Sequence, residues 1–456
     1  MYPLSRRKNI IVVGGNAAGP AAAAKAKRTD PEANVLMVEA GKFISTGTCE
    51  IPYVLSGEIK DYEEIVFFTP DAFEKEKGVK VLSSHRVGKI DRTRRIISIQ
   101  NLESGHRFEQ EYDKLILCTG SKAKSVPSLP SNLDNVFNLK SVSDLINLKS
   151  YIGKNNPVNI LIIGAGYIGL ETADALVKLG LKVSILEKEK LPFPGAEAES
   201  RNLIAELIKK SGIEYLSSDE EIKFNNDGKK FTSIKFEGRI HEYDLLITAA
   251  GVEPENSLAL SSQLSLGKSG GIKTDQKMRT TDPNIFAAGD CVETVNQITG
   301  RPDYFPIATL AQQGGHIAGE NAAGGNAFMN PVVKNIAVKI FGKSFVSVGL
   351  SSEEAQSNGS IAGTVNSITS NLVKVMPQSE QVFGKIIFEK RSGMILGANF
   401  LGGTETVGYG DVIAMMIRNK IKAKELANVN FNYTPPLSPF VNLLSVLGRK
   451  IEREFK

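Results

Sequence analysis

Residues 159–169 read NILIIGAGYIG, and they continue as LETADALVKLG before the segment KVSILE at 182–187. Asn159 to Ile163 is a continuous apolar run, the pattern of a strand buried on both faces. Gly164-Ala165-Gly166-Tyr167-Ile168-Gly169 is a full GxGxxG, with glycines for a tight reversal and small residues that let the following helix pack close to the strand. The N-terminus of that helix then faces a pyrophosphate. A second strand ends at Glu187, where a carboxylate takes ribose hydroxyls. Its charge repels a 2′-phosphate, which favours NADH, while Lys188 and Lys190 beside it keep NADPH open.

The same unit occurs earlier in the chain. Asn9-Ile10-Ile11-Val12-Val13 leads into Gly14-Gly15-Asn16-Ala17-Ala18-Gly19, then a small-residue helix, then Asn34 to Val38 ending at Glu39. This copy is irregular, because Asn16 stands at its middle glycine position. Each unit is followed by an acid–strand–small–Gly segment: Tyr112-Asp113 through Thr119-Gly120, and Tyr243-Asp244 through Gly251. A further segment ends Phe286-Ala287-Ala288-Gly289-Asp290, which places a carboxylate where it can hydrogen-bond a sugar alcohol of a bound cofactor. Two units imply two dinucleotides.

The bulk properties agree with a large soluble protein. The chain has 456 residues, net charge +5, no Trp and three Cys. The length suggests about three domains. No run interleaves aromatic with basic residues, so no nucleic-acid partner is expected. The apolar stretch after the charged start is too short for a signal h-region, and no stretch reaches a membrane span. Three cysteines make no disulfide framework, so a reducing cytoplasm is expected. The C-terminal SPFVNLLSVLGRKIEREFK is an amphipathic helix candidate, expected to pack on a dimer partner rather than on a membrane.

Together these motifs, with CTG at 118–120, GAGYIGLE, FAAGD and the Asn-Tyr-Thr-Pro-Pro segment at 432–436, resemble the flavoprotein disulfide reductases that bind two dinucleotides. The resemblance implies an α/β fold with two Rossmann-like domains, one for FAD and one for NAD(P), and a C-terminal α+β dimerisation domain. The expected boundaries are 1–149 and 251–330 for the two parts of the FAD domain, 150–250 for the NAD(P) domain and 331–456 for dimerisation. FAD is expected on Gly14, Gly15, Ala18, Gly19, Glu39, Thr119, Gly120, Gly289 and Asp290. The nicotinamide cofactor is expected on Gly164, Gly166, Tyr167, Ile168, Gly169, Glu171, Glu187 and Gly251, with Tyr167 covering the flavin and Glu171 orienting the nicotinamide.

The segment FISTGTCEIPYVLSG, 43–57, selects the branch. Position 54, where a second cysteine would complete CxxxxC, is Val54, and none of the four histidines lies in the last 140 residues. The dithiol branch with its C-terminal His-Glu base is therefore excluded. Ser45, Cys49, Pro52 and Tyr53 instead resemble the single-cysteine branch: coenzyme A disulfide reductases, persulfide reductases, NADH oxidases and NADH peroxidases. Cys49 is the expected nucleophile. It would cycle through a mixed disulfide with a small thiol or, in an oxidase, through a sulfenic acid. A helix beginning near Cys49 should lower its pKa, and Glu50 should oppose that.

The resemblance also implies a homodimer, with Tyr433 brought to the partner's flavin and Cys49. Lys25, Arg28, Ser45 and Thr48 are expected to hold the substrate, coenzyme A disulfide being the leading candidate. The set is incomplete: Val375-Met376-Pro377 replaces a Tyr-Tyr-Pro element, and Val441 replaces a lysine. A persulfide or polysulfide therefore stays open as acceptor. The alternative is an NADH oxidase, but Ala17 stands where related oxidases and peroxidases often carry a histidine. Cys118 and Cys291 are read as structural.

Overall fold

The computed structural model describes residues 7–130, 132–219 and 222–455. The charged start, residues 1–6, and Lys456 at the end of the C-terminal segment lie outside these ranges.

Among the described residues, three five-stranded sheets organise the fold. The first runs Ile285–Ala287, Lys114–Leu117, Asn9–Val13, Asn34–Val38 and Lys80–Leu82, all parallel. The second runs Val136–Asn138, Leu245–Thr248, Asn159–Ile163, Lys182–Glu187 and Glu214–Ser217, again all parallel. In both the glycine-loop strand is central, with the two strands that follow it on one side; the edge strand on the other side comes last in the chain in the first sheet and first in the second. Ile10, Val12, Ile160 and Ile162 are fully buried, as strands covered on both faces require.

The two copies share one device at the start of their central strands. Asp113 accepts a hydrogen bond from the Asn9 N–H at 2.7 Å, and Asp244 accepts from the N–H groups of Val158 and Asn159, each at 2.8 Å. In each sheet the acid that precedes the strand beside the central one thereby ties the starts of the two strands together.

The third sheet is antiparallel, in the order Asn335–Ile340, Lys343–Gly349, Ile395–Gly402, Gln381–Glu389, Ala362–Ser370. The helix Leu443–Glu454 packs on it, with Leu443, Leu444, Leu447 and Ile451 fully buried. The expectation that this helix covers a dimer partner is thereby corrected. Its apolar stripe is consumed by its own domain, where it covers a sheet face that would otherwise meet water.

Candidate active site

Each glycine loop is forced by contact as much as by conformation. Gly14 and Gly164 have φ of +111° and +105°, and a side chain on either would strike the carbonyl of Cys118 or Ala249. Gly19 and Gly169 lie against the carbonyls of Gly14 and Gly164, so any Cβ there would separate helix from strand. Gly166 differs: nothing lies within 4 Å of its missing Cβ. Glycine there is not needed by the chain itself, and the open space is where a pyrophosphate would approach the backbone. The residues present therefore fit a dinucleotide.

The acids that end the second strands are held alike. Glu39 Oε2 accepts from the Gly15 N–H at 2.6 Å, and Glu187 Oε2 accepts from the Ala165 N–H at 2.7 Å. Ala18 begins the first helix and is buried. Beyond the strand Lys114–Leu117, the Thr119 hydroxyl donates to the Glu255 carbonyl at 2.5 Å, and Gly120, Gly251 and Gly289, each just past a strand end, all take positive φ.

Asp290 lies just past the strand Ile285–Ala287. Its Oδ2 accepts from the Ser121 hydroxyl at 3.0 Å, and the Lys140 ammonium donates to that hydroxyl at 2.8 Å. Burial pushes the Asp290 carboxyl up, while Lys140 and Ser121 pull it back. Lys140 and Tyr304, whose phenol is raised by burial and by Asp290, escaped the sequence reading. Neither lies in a motif, and only the fold brings them to Asp290.

Cys49 lies in a single 3₁₀ turn, Thr48–Glu50, which runs into the helix Ile51–Ser56. Its side chain is exposed, whereas Cys118 and Cys291 are buried. The Cys291 thiol donates to the carbonyls of Leu117 and Ala288 at 3.4 and 3.3 Å, as suits a structural cysteine. Solvent reaches Cys49, yet the cleft walls still desolvate its thiolate. That burial, then Glu50, Glu171 and Asp290, pushes the thiol up. The expected lowering is therefore not supplied by the protein groups; a helix of six residues does not offset three carboxylates.

The same electrostatic coupling identifies what shares the cleft. Tyr167, the first residue of the helix Tyr167–Lys178, is raised by burial, then by Asp290, Cys49 and Glu171. Glu171, one turn on, is pushed up to about 7 by burial. Three segments distant in sequence thus converge. Ser45 takes φ +49° and donates its N–H to the Gly15 carbonyl at 2.7 Å. Asn16, the irregular position, accepts from the N–H and hydroxyl of Thr46.

The outer residues are less engaged. Lys25 pairs with Glu320 at 2.8 Å, and Arg28 is exposed. His316, on the neighbouring helix Ala308–Ala323, is lowered by burial and then by Arg28 and Lys25. Tyr433 is exposed, its ring edge-on to Phe440 at 5.2 Å.

Residues 8–315 match the pyridine nucleotide-disulphide oxidoreductase family, and residues 337–443 match the dimerisation domain of the same family. The chain belongs to this family. It is an FAD-dependent oxidoreductase that uses a pyridine nucleotide. It is 30% identical over 431 residues to an NADH oxidase of Methanocaldococcus jannaschii, covering 94% of this chain and 95% of that one. It is 28% identical to the coenzyme A disulfide reductase of Staphylococcus aureus, covering 97% and 99%. Among solved structures it resembles a NAD-dependent persulfide reductase from A. fulgidus, with TM-score 0.93, 29% identity and coverage of 98% and 83%. Among the described residues, no helix is long and apolar enough to cross a membrane.

Proposed function

We propose that this chain is an NAD(P)H-dependent reductase of a low-molecular-weight disulfide or persulfide, with coenzyme A disulfide the leading substrate, and that Cys49 is its nucleophile. The observation that carries the reading is the single exposed thiol of Cys49 in a cleft shared with Tyr167, Glu171 and Asp290, the other two cysteines being buried. FAD, held by the first glycine loop, Glu39, Thr119, Gly120, Gly289 and Asp290, supplies the two-electron link between nicotinamide and thiol.

The chain's own residues do the rest. The Cys49 thiolate attacks one sulfur of the substrate; the S–S bond breaks and its electron pair leaves on the departing thiolate, which takes a proton from water. Two electrons from NAD(P)H would then cleave the mixed disulfide, restoring the Cys49 thiolate and releasing the second substrate thiolate, which takes a proton from water. Gly164, Gly166, Ile168, Gly169, Glu187 and Gly251 hold the pyridine nucleotide, Glu187 favouring NADH; Tyr167 and Glu171 border the nicotinamide. Ser45 and Thr48 flank the substrate, and Lys25 and Arg28 answer its phosphates.

The working form is a cytoplasmic homodimer in which Tyr433 reaches the partner's cleft. Leu437 and Phe440, 77% and 78% exposed beside it, support a face that a second copy covers. The domains follow as 1–149 with 251–330 for FAD, 150–250 for NAD(P) and 331–456 for dimerisation. The second reading, an NADH oxidase, is supported by the relative of that name and by the solvent access of Cys49.

Anaerobic NADH consumption with and without coenzyme A disulfide tests the choice. Fast turnover that requires the disulfide supports the reductase; turnover only after air is admitted overturns it. Cys49→Ser should abolish disulfide reduction, and in an oxidase it should shift the product from water towards peroxide.

A further inference from the structure

Between Glu187 and the helix Ala198–Lys210 lies a loop, 188–197, that belongs to the second unit but is fastened to the third sheet. Glu197 is 4% exposed and Lys385, on strand Gln381–Glu389, is 7% exposed; their charges meet at 2.6 Å. The Ser352 N–H and hydroxyl donate to Glu197 Oε1 at 2.6 and 2.9 Å, and the Glu197 N–H donates to Asn399 Oδ1 at 2.8 Å. Lys385 also reaches Glu199 at 2.7 Å.

Four residues earlier, Phe193 takes φ +55°, a left-handed conformation that is strained for a bulky side chain. Besides a turn closed by the Ala196 N–H on its carbonyl at 3.2 Å, two contacts tie it to other elements. Its ring meets Phe345 of the third sheet edge-on at 4.6 Å, and its N–H donates to the Ala165 carbonyl at 2.8 Å. Ala165 sits inside the second glycine loop. An unbroken line of contacts therefore runs from the third sheet, through Phe193 and Glu197, to the nucleotide cradle.

A buried ion pair seldom repays its desolvation as net stability; its best attested use is to fix a register. Strained backbone persists only where its surroundings over-determine it. We propose that Lys385 and Phe345 are positioning residues for pyridine-nucleotide binding: acting through Glu197 and Phe193, they hold the loop after Glu187 and the glycine loop in the binding shape, so that the third domain sets nucleotide affinity. The inference rests on the reading that the second glycine loop binds the pyridine nucleotide.

The test is NAD+ titration calorimetry on the FAD-loaded enzyme, with hydrogen exchange at Ala165 and Phe193 as a second readout. Lys385→Met should weaken NAD+ binding about tenfold and speed exchange at both amides. It should leave FAD content, and kcat at saturating NADH, within about twofold of the wild type. Ser352→Ala and Phe345→Leu strand no buried charge; each should weaken binding in the same direction, and they decide the matter if Lys385→Met does not fold. Unchanged NAD+ affinity in a folded variant, or kcat falling as far as affinity, overturns the proposal. Gly166→Val separates the underlying reading: it should abolish NAD+ binding with FAD retained, and normal binding there removes the site and the proposal with it.

Discussion

Asn16 Oδ1 accepts hydrogen bonds from the Thr46 N–H at 3.0 Å and from the Thr46 hydroxyl at 3.2 Å. With Ser45 N–H on the Gly15 carbonyl, this ties the segment that carries Cys49 to the first glycine loop. The residue that breaks the first fingerprint is thus a brace between cofactor cradle and nucleophile. Asn16→Ala should cost about 1–2 kcal/mol in thermal unfolding, since two hydrogen bonds go and the Thr46 N–H loses its partner. It should also slow disulfide turnover with FAD still bound; retention of both rate and stability would contradict the brace.

The glycines of the second loop separate chain needs from ligand needs. Gly169→Ala drives a Cβ into the Gly164 carbonyl, so the melting temperature should fall by several degrees. Gly166→Ala meets no protein atom, so its melting temperature should hold while NAD(P)H affinity falls at least tenfold. The same loss of stability in both would reject the distinction.

Glu171 gives a pH signature. Folding raises its carboxyl from 4.5 to about 7, so between those values the folded chain binds more protons than the unfolded one and stability falls as pH rises. Burial of the charge therefore costs little at pH 5 and its full amount above pH 7, of the order of 3 kcal/mol before screening. Glu171→Gln should stabilise the protein at pH 8 and leave it nearly unchanged at pH 5. Equal effects at both pH values would show that the carboxyl does not titrate in this window.

Cys49 should respond to Glu50 in the opposite sense to a stabilising pair. The carboxylate raises the thiol, behind burial as the larger cause, so Glu50→Gln should lower it. The pH profile of iodoacetamide alkylation would move to lower pH, and alkylation at pH 7 would quicken. A profile that stays in place would mean that the Glu50 charge does not reach the thiolate.

The repeated units were readable from residues alone because each is local. Strand, glycine turn, helix and terminal acid follow one another within a few dozen positions, and steric rules decide them: Gly14, Gly19, Gly164 and Gly169 each abut a carbonyl that no side chain could clear. Cys118 and Cys291, read as structural, are buried, the first just past the apolar strand Lys114–Leu117.

What the chain order concealed is what long-range contact creates. Lys140 reaches Asp290 through Ser121, Asn16 meets Thr46, and Lys385 closes on Glu197 across 188 positions. The apolar stripe of Leu443–Glu454 read as an outward face until the third sheet accounted for it. The raised Cys49 thiol is of the same kind. Local sequence offered a helix terminus that would lower it and Glu50 that would oppose this; the fold adds burial, the largest cause, and the distant carboxylates of Glu171 and Asp290. Backbone geometry follows local sterics and is written in sequence; electrostatics and packing depend on which distant groups share a cleft, and only the tertiary fold decides that.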